Sequence, residues 1–243
     1  MTHPVLAARS PSICRALLCA GIALSTAAPL WAAPFAYIAN NQSGTVSVVD
    51  TDGNATVATV VVGGAPFGVA VNALGTRVYV AGAAAGVGIF GVAVIETVGN
   101  SVIATIPLGG NPTGMAASPD GARLYVTQPF ANGVQVVNAV TNALITTVAV
   151  EGAWAVVVHP DSSKVYVTTD RFAGTLAVID TATNTVATNV PVGNIPRGVA
   201  INPAGTRAYV ANQSSNNLTV VDTTTNTVLT TVPVGTSPYA VAV

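Results

Sequence analysis

The chain has 243 residues and a formal net charge of −1, and only 7% of its residues are charged, against roughly 25% in ordinary soluble domains. No run of Lys or Arg occurs, so the electrostatic footprint of a duplex nucleic-acid binder is missing and strong steering of anionic partners is excluded. Such a surface is solvated by hydroxyls, amides and backbone in place of ions.

The first element, residues 1–32, has the three parts of a secretory signal. Arg9 and Arg15 supply the basic region, an apolar run extends from about Ala16 to Ala28, and small residues precede the cut. Cleavage after Ala32 fits best, because a cut after Ala33 would place Pro34 beside the scissile bond. A membrane anchor is the alternative, but the apolar run falls short of the ~18 residues a spanning helix needs. Both cysteines, Cys14 and Cys19, lie in this segment, so the mature chain has neither disulfide nor thiol chemistry. Leu18 is too large for the position before a lipid-accepting cysteine. The expected destination is the periplasm, the cell surface or the medium.

From residue 33 to 243 the chain is self-similar and reads as one domain. Tyr37, Tyr79, Tyr125, Tyr166 and Tyr209 recur in one context, at intervals of 42, 46, 41 and 43 residues. That period suits a four-stranded propeller blade of about 40–45 residues. Each period holds four strand-like runs, a to d, as in "RGVAINP", "TRAYVAN", "NLTVVDT" and "NTVLTTVPVG". Val, Ile, Thr and Tyr dominate them, and "NPAG", "SPDG" and "HPDS" mark the a-to-b turns. Four blades span 66–108, 112–150, 154–192 and 196–234. A fifth combines 36–62, which lacks a strand a, with the closing "PYAVAV" of 238–243. The expected fold is all-β: a five-bladed β-propeller of four-stranded antiparallel blades, closed by pairing the C-terminal strand with the N-terminal blade, which leaves no free edge. A piece of a larger ring is the alternative.

Tyr-Val-Ala/Thr-Asn, followed by "TVxVxDTxTNTV" and "PVGxxPxGVAxNPxGT", resembles the YVTN-type β-propeller repeat family, with matching copies from Phe35 to Val243. The resemblance implies an exported propeller of the kind found in bacterial periplasmic and archaeal surface-layer proteins. Its relatives include binding proteins, surface proteins and more distant lactonase-like enzymes, so fold alone selects no function.

Residues recurring in every copy serve the fold, and those that differ at equivalent positions are candidates for function. Arg77, Arg123, Lys164 and Arg207 precede strand b and read as solvated turn residues. Asp50, Glu96, Asn138, Asp180 and Asp222 close strand c and read as acceptors for turn N–H groups. The unrepeated large residues open strand a, at Phe67, Thr113, Trp154, Arg197 and Tyr239, or lie in b-to-c loops, at Phe130, Arg171 and Phe172. All eight fall on one face, the top, around the mouth of the central channel. Aromatics with Arg are what binding hot spots use, although plugging the channel would need the same residues.

Other motifs carry less. Gly86–Gly91 forms a G-x-G-x-x-G, but "VAVIET" continues it as a strand, so the dinucleotide fingerprint is accidental. "AGAAAGVGIFGVAV" reads as an extended b-to-c loop. "DTDGN" has its Gly too early for a calcium loop. His159 stands where other repeats have Asn or Ser before Pro, and Glu151 with Asp170 are two carboxylates without a third ligand. The expected function is a non-enzymatic binding scaffold for a protein, glycan or small molecule, monomeric, with no cofactor, catalytic set or metal. The alternatives are a divalent-metal lactonase-like hydrolase and a structural surface module.

Overall fold

The computed structural model describes residues 35–243 except 87, 88 and 132, and the side chains of 83–86 and 89 are also left out. The expected signal, residues 1–32, lies outside the described residues. Every regular element described is a strand. The first sheet has three: β1 (Phe35–Asn40), β2 (Thr45–Asp50) and β3 (Ala55–Val61). Four four-stranded sheets follow. They are β4 (Val69–Val71), β5 (Arg77–Gly86), β6 (Ile89–Glu96) and β7 (Ser101–Pro107); β8 (Met115–Ala117), β9 (Arg123–Gln128), β10 (Gly133–Asn138) and β11 (Leu144–Ala149); β12 (Ala153–Val158), β13 (Lys164–Thr169), β14 (Thr175–Asp180) and β15 (Thr185–Pro191); and β16 (Pro196–Ile201), β17 (Arg207–Asn212), β18 (Asn217–Asp222) and β19 (Thr227–Pro233). Each is an antiparallel meander in chain order, as propeller blades are.

The same local chemistry builds every sheet. Asn54, Asn100, Asn142, Asn184 and Asn226 end the turn before the last strand of each sheet with φ between 50° and 60°, a left-handed conformation that Asn tolerates. Asp50, Asn138, Asp180 and Asp222 accept backbone N–H bonds from that turn, such as Thr183 N to Asp180 Oδ1 at 2.9 Å. In all five sheets the pairing of the last two strands slips by one residue at the same place, for example between Val178 and Ile179. These bulges add local twist to each sheet.

Sheets pack face to face along the chain. Val46, Val48 and Val60 meet Val78, Val80 and Ile95; Tyr79, Val94 and Ile106 meet Leu124, Val126 and Val137. Val134, Val136 and Val148 meet Val165, Val167 and Ile179, and Tyr166, Leu176 and Val190 meet Ala208, Val210 and Val221. The inner strands of the middle sheets, such as β9, β10, β13 and β14, are therefore buried on both faces, which is why they are largely apolar without alternation. Each such fully buried side chain stabilises the stack by about 1.5–3 kcal/mol.

Three expectations change. First, residues 238–243 form no strand and join no sheet, so the first sheet has three strands and the ring is not closed by pairing. The reason lies in the fifth sheet. A Cβ on Gly198 would lie 2.8 Å from Ala240 Cα and 2.9 Å from Tyr239 O, so the terminal segment rests on β16, while Pro238 offers no N–H for a ladder. Gly68 meets Thr113 O and Gly114 meets Trp154 O in the same manner, so the segment occupies the place where a next sheet would begin. Val232 is 42% exposed, whereas its counterparts Val60, Ile106, Val148 and Val190 are 3–6% exposed, so the far face of the fifth sheet is uncovered.

Second, "AGAAAGVGIFGVAV" is no loop: β5 and β6 run on as a long hairpin with slips between Ala81 and Ala83 and between Ala84 and Gly86. Third, three of the basic turn residues are latches, not simply solvated groups. Arg77 Nη1 donates to Ala139 O at 2.8 Å, Lys164 Nζ to Thr223 O at 2.8 Å, and Arg123 Nη1 to Thr181 O, each reaching a turn of the next sheet. Tyr79 and Tyr166 donate their hydroxyls to Ala139 O and Thr223 O from the same direction.

Candidate functional site

Strand openings and hairpin loops from successive sheets converge on one cleft of about 260 Å³. Phe67, Thr113, Phe130, Trp154 and Tyr239, five of the eight residues expected at the top face, line it together. Asn41, Ala65, Asn111 and Pro112 complete the wall. Phe67, Phe130 and Tyr239 are 53%, 81% and 47% exposed, so their rings are open to a ligand.

Trp154 is fixed from the backbone outward. Its carbonyl oxygen accepts from Thr127 Oγ1 at 2.6 Å and Thr113 Oγ1 at 2.9 Å. Gly114 allows this approach, since a Cβ there would lie 2.6 Å from that oxygen. The guanidinium of Arg197 then stacks on the indole, 4.0 Å from its centroid. Arg197 is itself restrained: Nε donates to Gln213 Oε1 at 2.9 Å, Nη1 pairs with Asp170 Oδ2 at 2.9 Å, and its backbone oxygen accepts from Thr168 Oγ1 at 2.9 Å. The indole wall is thus held by a cation whose charge Asp170 matches.

Three expected residues do not line the cleft: Arg197 backs it through Trp154, while Arg171 and Phe172 lie apart. Arg171 pairs with Glu151 and lines a separate cleft of about 370 Å³ with Thr169, Thr175 and Asn189. Phe172 is 79% exposed and lines neither cleft. Sequence reasoning missed Asn41, Asn111, Asp170 as a partner for Arg197, and Gln213. The signal for three of these was present: Asn41, Asp170 and Gln213 each stand four residues after a repeat tyrosine, at one position on the hairpins of the first, fourth and fifth sheets.

The carboxylates do not fit a divalent metal. Glu151 and Asp170 each face a guanidinium, and among the described residues no three His, Cys, Asp or Glu side chains come together. His159 is a turn residue, its Nδ1 2.6 Å from Asp161 Oδ1 and its Nε2 2.8 Å from Gly205 O. Asp161 is held down to about 2, chiefly by the Ser163 hydroxyl and N–H and then by His159. Burial pushes the Tyr166 phenol up to about 12. Neither group lies at the cleft. No helix among the described residues is long and apolar enough to cross a membrane.

A family profile described as "Lactonase, 7-bladed beta-propeller" matches residues 109–238, more than half of the chain. The chain belongs to this lactonase propeller family. The matched part of this family member runs from the approach to the third sheet through the end of the fifth, and so includes Trp154, Arg197 and Asp170. Among solved structures, the chain is similar to Kuenenia stuttgartiensis hydrazine synthase, with 17% identity, 85% of each chain covered and a TM-score of 0.63. It is also similar to a functionally unknown protein from Desulfotomaculum acetoxidans DSM 771, with 16% identity, a TM-score of 0.69, and 80% of this chain and 65% of that one covered. At these identities the likeness is one of fold alone. No curated protein matches.

Proposed function

We propose that the protein is an exported, non-enzymatic binding module whose ligand seats in the cleft at the mouth of the sheets. The observation that carries this reading is the convergence of Phe67, Thr113, Phe130, Trp154 and Tyr239 from distant parts of the chain on one cleft. A pre-positioned aromatic wall supplies contact area at low entropic cost. Its geometry is set before any ligand arrives, because Arg197 and the two threonines already hold Trp154. In this reading the sheets are blades of YVTN-type repeats, and the terminal segment, resting on β16, brings the ring of Tyr239 to the mouth. The test is capture of partners from the source cell by the full chain and by a Trp154→Ala, Arg197→Ala, Tyr239→Ala variant. Partners retained equally by both would end the proposal.

Family membership favours a second reading, lactone hydrolysis. The cleft offers no nucleophile with its base and no ligand set for a metal, so any such activity would rest on residues other than those gathered there. Turnover of a lactone panel by purified protein would establish the second reading in place of the first.

A further inference from the structure

We infer that the ligand of this cleft is a neutral saccharide; this rests on the cleft being a binding site, as proposed above. The chemistry of the wall selects among ligand classes. Phe67, Trp154 and Tyr239 offer aromatic faces, Asn41 and Asn111 offer amides that both donate and accept, and no charged side chain lines the space. A pyranose ring matches both halves. Its C–H faces carry slight positive charge and stack on the negative face of an aromatic ring, while its hydroxyls pair with the amides.

The competing classes each meet a specific obstacle. An anion would have to draw Arg197 away from Asp170, and the Arg197 side chain is only 16% exposed. A quaternary ammonium favours an aromatic cage, but here a guanidinium already lies 4.0 Å from the Trp154 centroid and would repel it. A purely apolar ligand would strip water from the amides without replacing their hydrogen bonds. Single-stranded nucleic acid needs cations to follow its phosphates, and none lines the cleft. The volume, about 260 Å³, lies just below the ~300–1,000 Å³ of sites for drug-sized ligands, which suits a single sugar ring whose neighbours run out over exposed Phe130.

Trp154 makes the test direct. The chain has two tryptophans, so in a Trp31→Phe full-length chain all tryptophan emission comes from the cleft. Neutral cello-, chito-, malto- and manno-oligosaccharides are titrated in, with polygalacturonate as an anionic probe, in low salt and in about 0.5 M NaCl, where charge interactions are screened. The expected result is a saturable change in emission with at least one neutral oligosaccharide, insensitive to salt and at least about tenfold weaker in Phe67→Ala and in Tyr239→Ala. A response to polygalacturonate alone, lost in high salt, overturns the neutral class and leaves the cleft as a binding site. No saccharide response, with capture of a cellular protein that depends on Trp154 and Tyr239, also overturns the saccharide and keeps the site. A saccharide response unchanged by both substitutions overturns both readings, as does silence to every probe together with unchanged capture.

Discussion

Arg197 stacks on Trp154, pairs with Asp170 and donates to Gln213, and each contact restrains a different part of its side chain. Replacing it with Met keeps the stem and removes the charge, leaving Asp170, 30% exposed, without its partner. The expected loss is about 1–2 kcal/mol, between the values for exposed and buried pairs, read by denaturant unfolding and accompanied by a red shift of Trp154 emission. Asp161 predicts a pH effect with a definite sign. Its folded value, about 2, lies below the ordinary 3.8, so the stabilisation it adds is complete above about pH 4 and is lost as pH falls from there towards 2. Unfolding curves of wild type and Asp161→Asn should therefore diverge above pH 4 and converge near pH 2; a constant offset across that range would refute the assignment. Trp154 and Tyr239 could be read as mouth residues because they break the repeat. Gln213 could be placed on a hairpin by its spacing from Tyr209 but not as the partner of Arg197, sixteen residues earlier, because sequence does not show that the two meet.

At the level of the strand and turn, strand composition and turn residues were enough to locate nearly every element. "NPAG" and "TNTV" impose their turns locally, and Val, Ile and Tyr need both sheet faces covered. What remained hidden was reach across sheets. Arg123 was legible as a turn residue but not as a donor to Thr181, since that bond requires knowing which turn the next sheet presents. The same asymmetry gives a paired prediction for the tyrosines. Tyr166 is fully buried and donates to Thr223 O at 3.2 Å, whereas Tyr209, its counterpart in the fifth sheet, is only partly buried and has no following sheet among the described residues to bond. Tyr166→Phe should cost about 0.5–1.5 kcal/mol, the net worth of one hydrogen bond, because Lys164 Nζ still donates to Thr223 O. Tyr209→Phe should cost well under about 1 kcal/mol by the same measurement. Equal costs would mean that the inter-sheet bond adds nothing.

In the molecule as a whole, the terminal segment was expected to pair with the first sheet and instead rests on the fifth, a placement decided by the Gly198 contact and invisible to strand counting. Deleting Pro238–Val243 uncovers β16 and removes Tyr239 from the mouth. The melting temperature should fall by several degrees, at roughly 2–4 °C per kcal/mol for a domain this size, and ligand-induced change in Trp154 emission should weaken; an unaltered melting curve would contradict the packing. The latches have a different consequence. Because Arg77, Arg123 and Lys164 make one and the same contact at successive junctions, no junction depends on how many others exist. A gene segment encoding one latched sheet can be duplicated or lost between two others, and each surviving boundary from the second sheet onward keeps its donor, its acceptor and its apolar face. Blade number is then a freely evolving trait of such chains, while the mouth, assembled from whichever strands open onto it, changes its chemistry each time the count changes.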